Sequence, residues 1–320
     1  MPAHRLSGQT GAIGCRRAGG ITTREESRMI DTEADMLTPP RTPRRSPSRF
    51  EADTYFLETR DALERLSLDP DEFGWRTGLL LLKPDAAVTG GMCRSVTWLT
   101  EHGYRIVGAH AVVTTHLHAR ALWYFDWHRA SPERRRLADQ LGRMCPSVVL
   151  LVGHPDDNVA VSARLTEDKG PANPTQRVPG QLRYALDSGT YLLNQVHTPD
   201  DPDGVLRELS IYFPEPELSA VITACAATPD VSAEALQLAG EIESGVERRS
   251  GDVQVAHDMV WEQLRSNEVV AATERPQTGP EWLAAIDLAE RHDVPVDPWY
   301  RIVLESAYLP MIRHQERSEK

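Results

Sequence analysis

The chain has 320 residues, 40% of them hydrophobic and 26% charged, and no apolar run approaches the ~20 residues that cross a bilayer, which argues against a membrane-spanning role. A formal net charge of -12 argues against indiscriminate nucleic-acid binding, so any site for a polyanion has to be built locally. Cys15, Cys93, Cys145 and Cys225 lack metal-type spacing and no secretory apolar segment precedes them, so reduced thiols in a cytoplasmic protein are expected.

Residues 1–50 combine Gly, Ser, Thr and Arg with the Pro-rich tract from Thr38 to Pro47 and show no apolar period; they read as disordered. An Arg-rich, acid-poor start fits an organellar address, but Glu25, Glu26, Asp31, Glu33 and Asp35 break that composition. Residues 51–75 read as a helical extension, with Tyr55, Phe56, Ala62, Leu63 and Leu66 on one face.

From Trp75 strands and helices alternate. Leu79-Leu80-Leu81-Leu82 has the continuous apolar character of a buried strand ended by Pro84. A helix is expected over 90–102 up to Gly103, a second strand over 104–114, and helix over 116–142 divided at Ser131-Pro132. Ser147–Val152 reads as a third strand and 156–165 as a helix, followed by a polar loop over 167–181. A strand over 190–196 delivers His197; Asp201-Pro202 is a helix N-cap and first position; a last strand is expected at 209–213. Beyond Pro216 the pattern is helical, with Leu238, Ile242 and Val246, then Ala256, Val260 and Leu264, then Trp282, Ile286 and Ala289 on shared faces. This tail reads as a small helical domain or a cover on the preceding unit, with Trp261, Trp282 and Trp299 as core.

The candidate chemistry centres on His197, set between Asn194 and Asp200 and eleven residues before Glu208. A neutral imidazole accepts a phosphoryl group near neutral pH and hands it on, provided its ring is held. Glu208, in the helix begun by Asp201, suits the second ring nitrogen, fixing the tautomer and stabilising positive charge; its bland alternative is an exposed helix residue. Phosphates need surrounding cations, for which Arg164, Arg183 and Lys83 are candidates, and Asn194 suits a ribose hydroxyl.

These motifs, in this order, resemble the nucleoside diphosphate kinase family over residues 76–214. Lys83-Pro84-Asp85 resembles its K-P-D, Asn173-Pro174 with Pro179-Gly180-Gln181-Leu182-Arg183 its N-P…P-G-T-I-R loop, and Asn194-Gln195-Val196-His197 its N-x-V-H. The resemblance implies an α/β (α+β), ferredoxin-like fold, an antiparallel sheet with helices on one face, in place of the parallel doubly wound sheet that the alternation alone fits; residues 215–320 add an all-α C-terminal domain. It implies a ping-pong phosphotransferase: His197 takes the γ-phosphate of ATP or another nucleoside triphosphate and passes it to a nucleoside diphosphate. Lys83 and Asn194 hold the ribose 3′-hydroxyl and phosphates, Arg164 and Arg183 the phosphate chain, Glu208 the histidine, and Mg²⁺ arrives with the nucleotide. A homo-oligomer is also implied.

Ala172 stands where the family has a phosphate-binding Thr, Gln181 replaces the Thr of P-G-T-I-R, and Thr198-Pro199 replaces Gly-Ser. Trp123, Tyr124, Phe125 and Trp127 lie where a base platform is rebuilt or a helix core is filled. The alternative reading is a catalytically weakened nucleotide-binding, regulatory or scaffold protein on the same fold.

Overall fold

The computed structural model describes residues 48–187, 189–267 and 275–313. The disorder expected over 1–50 lies outside the described residues except for the last three, of which Phe50 is buried, its ring 5.4 Å from that of Phe125. The described residues form one compact unit.

Two helices open it, α1 (Thr54–Arg65) and α2 (Pro70–Arg76). Each is started by an Asp that accepts backbone N–H groups, Asp53 and Asp69, and Asp69-Pro70 divides the expected helical extension into two helices. Strand β1 (Gly78–Leu82) follows, then α3 (Pro84–Thr89), α4 (Met92–Glu101) and β2 (Arg105–Val112). Helix α5 (His116–Leu122), a 3-10 turn at Trp127–Arg129 and α6 (Pro132–Leu141) lead to β3 (Ser147–Gly153). Next come α7 (Val161–Lys169), the short α8 (Leu182–Ala185), β4 (Val196–His197) and α9 (Pro202–Tyr212). The C-terminal region supplies α10 (Glu217–Ala226), α11 (Ser232–Ser244), α12 (Val253–Ser266), α13 (Gly279–Arg291) and α14 (Pro298–Tyr308).

The sheet is antiparallel, in the order β2-β3-β1-β4, which is the ferredoxin-like arrangement. Leu80 pairs with Leu150 and Leu81 with Val149, and β4 adds only two residues, with His197 opposite Leu81. Because β1 and β3 are apolar on both faces, both need cover, and helices lie on both faces rather than one. Leu79, Leu81, Val149 and Leu151 pack under α1, α9 and α10; Leu80, Leu82, Val148 and Leu150 pack under α4, α7 and α11. The C-terminal region thus covers the sheet, α10 on one face and α11 on the other, while α12, α13 and α14 share a third cluster with α6. Trp282 and Trp299 are buried in that cluster, and Trp261 packs partly buried against it.

Three expectations give way to tertiary context. Residues 209–212 are the last turn of α9, not a strand: every position from Gly204 to Tyr212 is buried, and a short apolar run enclosed on all sides fits helix and strand alike. The stretch 190–195 is irregular; Gln195 has a left-handed φ of 64° and its N–H donates to the Asp85 carboxylate, so the ladder begins only at Val196. Helix α7 starts at Val161 instead of 156, because Asp156 accepts the Asn158 N–H and holds a turn there. No helix among the described residues is long and apolar enough to cross a membrane.

Candidate active site

The site forms where β1, β4 and α9 converge. Register sets His197 at the end of the sheet beside β1, and Asp201 caps α9 by accepting the Gly204 N–H at 2.7 Å, which brings Glu208 round to the imidazole. His197 Nε2 lies 2.8 Å from Glu208 Oε1 and 3.1 Å from Oε2. Glu208 is only 5% exposed, so it is not the solvated helix residue of the bland alternative. With the carboxylate ionised, Nε2 carries the proton and donates, leaving the Nδ1 lone pair without a hydrogen-bond partner among the described residues. Arg207, the residue before Glu208, ties α9 down by donating to Asp53 and to the carbonyl oxygen of Ala121.

His197 borders two cavities. The larger, of about 860 Å³, is of the size that takes a small organic ligand. Lys83, Arg183 and Asn194 line it on the His197 side, and Trp123, Trp127, Arg134 and Tyr191 continue the wall. Lys83 precedes Pro84 at the start of α3; its Nζ donates to Leu192 O at 3.0 Å and lies 3.4 Å from Asp85. Burial pushes its pKa below the usual lysine range, and the buried Asp85 opposes that shift. Arg183, 6% exposed, donates to Gly170 O at 2.8 Å, Val196 O at 2.5 Å and Asn194 O at 3.3 Å. Its pKa is pushed down to about 10, by burial first and by the neighbouring Arg177 second. Three carbonyls do not exhaust the guanidinium's donors, so part of the fork is left for a ligand. Asn194 donates to Tyr191 O at 3.0 Å and keeps its side chain at the cavity wall.

The second cavity, of about 190 Å³, holds His197 and Glu208 together with Lys169, Asp200 and Arg207. Lys169 is absent from the sequence-derived set, whereas Arg164 lines neither cavity and pairs with Asp156. The phase of α7 explains the exchange. Val161, Ser162, Leu165 and Lys169 share its inward face, and Arg164 falls off it. Lys169 Nζ donates to Thr198 O at 3.4 Å. Burial pushes its pKa down to about 7, reinforced by Arg183 and opposed by Asp200 and Glu208. The i, i+4 step from Leu165 was the available signal, but a lysine before a glycine reads first as an exposed helix end.

The residues that depart from the family pattern have structural partners. Thr198 Oγ1 donates to Leu79 O at 2.5 Å, fastening the His197 segment to β1. Gln181 accepts the Val178 N–H at 3.0 Å and donates to Glu167 O at 3.3 Å, bracing the loop before Arg183. Ala172 lines the large cavity with no hydroxyl to offer. In the aromatic segment, Trp123 and Trp127 stack with ring centroids 5.6 Å apart and both border the cavity, while Tyr124 is 68% exposed. Trp123 also meets His197 edge to face at 5.3 Å. Among the described residues no group of three His, Cys, Asp or Glu side chains is placed to hold a metal ion.

The sequence pattern of the nucleoside diphosphate kinases matches residues 76–218. The nucleoside diphosphate kinase of Thermococcus kodakarensis is 31% identical over 142 residues, covering 44% of this chain and 78% of that protein. The Pyrococcus furiosus enzyme is 28% identical over 142 residues, 44% of this chain and 84% of its own. Among solved structures, the Aquifex aeolicus nucleoside diphosphate kinase aligns with 44% of this chain and 97% of that one at 21% identity, with a TM-score of 0.38. An identity of 31% sustained over most of an archaeal enzyme's length means that this chain belongs to the nucleoside diphosphate kinase family.

Proposed function

We propose that the domain over 76–214 moves the γ-phosphate of ATP or another nucleoside triphosphate to a nucleoside diphosphate through a phosphohistidine on His197. The observation that carries this reading is the His197–Glu208 pair at 2.8 Å, with His197 on the wall of a cavity that also presents Lys83 and Arg183. In the first half-reaction the Nδ1 lone pair attacks the γ-phosphorus, the N–P bond forms, and the bond to the bridging oxygen breaks as the diphosphate leaves. In the second, a terminal oxygen of the acceptor diphosphate attacks the same phosphorus and the N–P bond breaks, restoring neutral His197. Glu208 keeps the Nε2 proton in place and offsets the positive charge that phosphorylation puts on the ring.

Lys83 and Arg183 compensate phosphate charge, and Asn194 with Lys83 holds the ribose 3′-hydroxyl and phosphates. Arg164 is left out of the clamp because of its pairing with Asp156, and Lys169 lines the smaller cavity together with His197 and Glu208. Mg²⁺ belongs to this reading as part of the nucleotide substrate, ligated by phosphate oxygens. Homo-oligomeric assembly and a cytoplasmic setting follow the same family reading.

Incubation with γ-labelled ATP is expected to give an acid-labile, base-stable label on the wild type and none on His197→Ala, with the label chased off by a nucleoside diphosphate. A wild type that takes no label refutes the phosphotransferase reading. The weakened, nucleotide-binding alternative draws on Ala172 and on the engagement of Arg183 with three carbonyls. Nucleotide binding without label, unchanged in His197→Ala, selects that alternative.

A further inference from the structure

Arg207, beside Glu208 on α9, is 3% exposed, so its charge has to be met inside the protein. Two segments meet it. One lies before residue 76, where the family pattern begins: Nε donates to Asp53 at 2.9 Å, and the rings of Phe50 and Tyr55 stand 5.4 Å and 5.8 Å from the guanidinium carbon. The other is the end of α5, where the guanidinium donates to Ala121 O at 2.7 Å and Leu122 O at 3.4 Å, with the Phe125 ring at 5.3 Å. One turn on, Ser210 Oγ donates to Tyr55 O at 2.6 Å, a second tie between α9 and the N-terminal extension.

Both sides of this node continue to the histidine. Trp123 follows Leu122 and meets His197 edge to face at 5.3 Å, and Glu208 follows Arg207 and faces Nε2 at 2.8 Å. Phe50 itself lines the smaller cavity with His197 and Glu208. A planar fork bonded to several segments fixes how they stand to one another, whereas the apolar burial between α1 and α9 is non-directional.

We propose that Asp53 is a positioning residue for the histidine: as counter-charge to Arg207 it holds α9 and the end of α5 in place, and so sets Glu208 and Trp123 against the ring. The residues ahead of the family pattern are then part of the working site. The rate measurement that tests this rests on the phosphotransferase reading, but the protonation state of the His197 ring tests it without turnover. Asp53 has a second duty. Its Oδ2 faces Arg207, while Oδ1 accepts the Tyr55 and Phe56 N–H groups and caps α1. Substitution separates the two: Asp53→Ser keeps a capping oxygen and loses the charge, and Asp53→Glu keeps the charge and gives up the favoured cap.

Single-turnover labelling of the full chain by γ-labelled ATP, together with histidine-nitrogen NMR, provides the test. Asp53→Ser is expected to lower the maximal labelling rate about tenfold or more, because small displacements of positioned groups are costly to rate. The ATP concentration for half-maximal rate should stay within about twofold, since Asp53 lines neither cavity. The His197 ring, with its proton on Nε2 in the wild type, should become a mixture of tautomers in Asp53→Ser. Asp53→Glu is expected to stay within about threefold of the wild-type rate and to keep the Nε2 proton, at lower stability to urea. Asp53→Asn, a milder loss of charge that keeps the cap, carries the same expectations as Asp53→Ser and replaces it if that variant does not fold. Wild-type rate and tautomer in Asp53→Ser overturn the inference, as does a loss confined to ATP affinity. Slowing in Asp53→Glu equal to that in Asp53→Ser makes the cap the cause and overturns it as well. A wild type that takes no label refutes the phosphotransferase reading, and the tautomers then decide this inference by themselves.

Discussion

Lys169→Met is the perturbation with the most predictable sign. The ammonium is 5% exposed, donates one long hydrogen bond of 3.4 Å to Thr198 O, and has its pKa pushed down to about 7. In the unfolded chain a lysine titrates near ~10.4. Between those two values the unfolded state binds more protons than the folded one, so this residue makes stability rise with pH across the window. Below the folded pKa its penalty is at full size and flat. The displacement corresponds to about 4 kcal/mol of lost stability at pH 7, and to a gain of about 2 kcal/mol from about pH 7.5 to about pH 9. Methionine fills a similar volume without charge and gives up a hydrogen bond worth about 1 kcal/mol, so the variant is expected to be more stable near pH 7 by about 3 kcal/mol. Urea denaturation at several pH values, with linear extrapolation, reads the gap between the two proteins. It should narrow as pH rises towards 9. A variant less stable than the wild type at pH 7, or a gap independent of pH, refutes the reasoning and makes the buried cation a net stabiliser.

The other predictions concern the site and the cover. Glu208→Gln keeps a hydrogen bond to His197 but not the negative charge, and phosphoenzyme formation measured by rapid quench should slow by about 10- to 100-fold; an unchanged rate would remove Glu208 from the mechanism. Arg164→Ala should leave phosphoryl transfer within about twofold of wild type, because its partner is Asp156 outside both cavities, whereas a clamp on phosphate would lose about tenfold or more. Trp299→Ala removes a buried indole and its 2.7 Å hydrogen bond to Ser250 O, and is expected to lower stability by about 3 to 5 kcal/mol. If the C-terminal helices are part of one cooperative unit with the sheet, thermal unfolding of this variant stays a single transition; a separate early transition assigns them to an independent domain.

Much of this protein was legible before folding. The apolar runs of β1 and β3, the Ser131-Pro132 break and the Asp201-Pro202 start of α9 are local signals, and each appears in the structure where the sequence puts it. Asp69-Pro70 carries the same signal as Asp201-Pro202 and starts α2 in the same way. The pairing of His197 with Glu208 was legible for a related reason. Once the cap of α9 is fixed, helical phase determines which residue returns to the histidine.

What sequence reading could not supply depends on which surfaces come to face one another. Residues 209–212 are enclosed on every side, so their apolar run fits strand and helix alike until α1 and the sheet surround it. Part of the cover on each sheet face comes from α10 and α11, which pack back onto it from the end of the matched domain and beyond. The exchange of Arg164 for Lys169 in the cavity lining followed from α7 running on to Lys169, past the expected helix end at 165, which puts Lys169 on the inward face with Val161 and Leu165. Trp127 and Arg134 lie far before Tyr191 and His197 in the chain; only packing of the 190s segment and the C-terminal residues against α6 gathers them into one wall. The sequence by itself determined most of the element types, the fold family and the histidine with its carboxylate, because caps, periods and short motifs act over a few residues. The tertiary structure alone decided which cations and rings meet the cavity, because that depends on helix phase and on long-range burial.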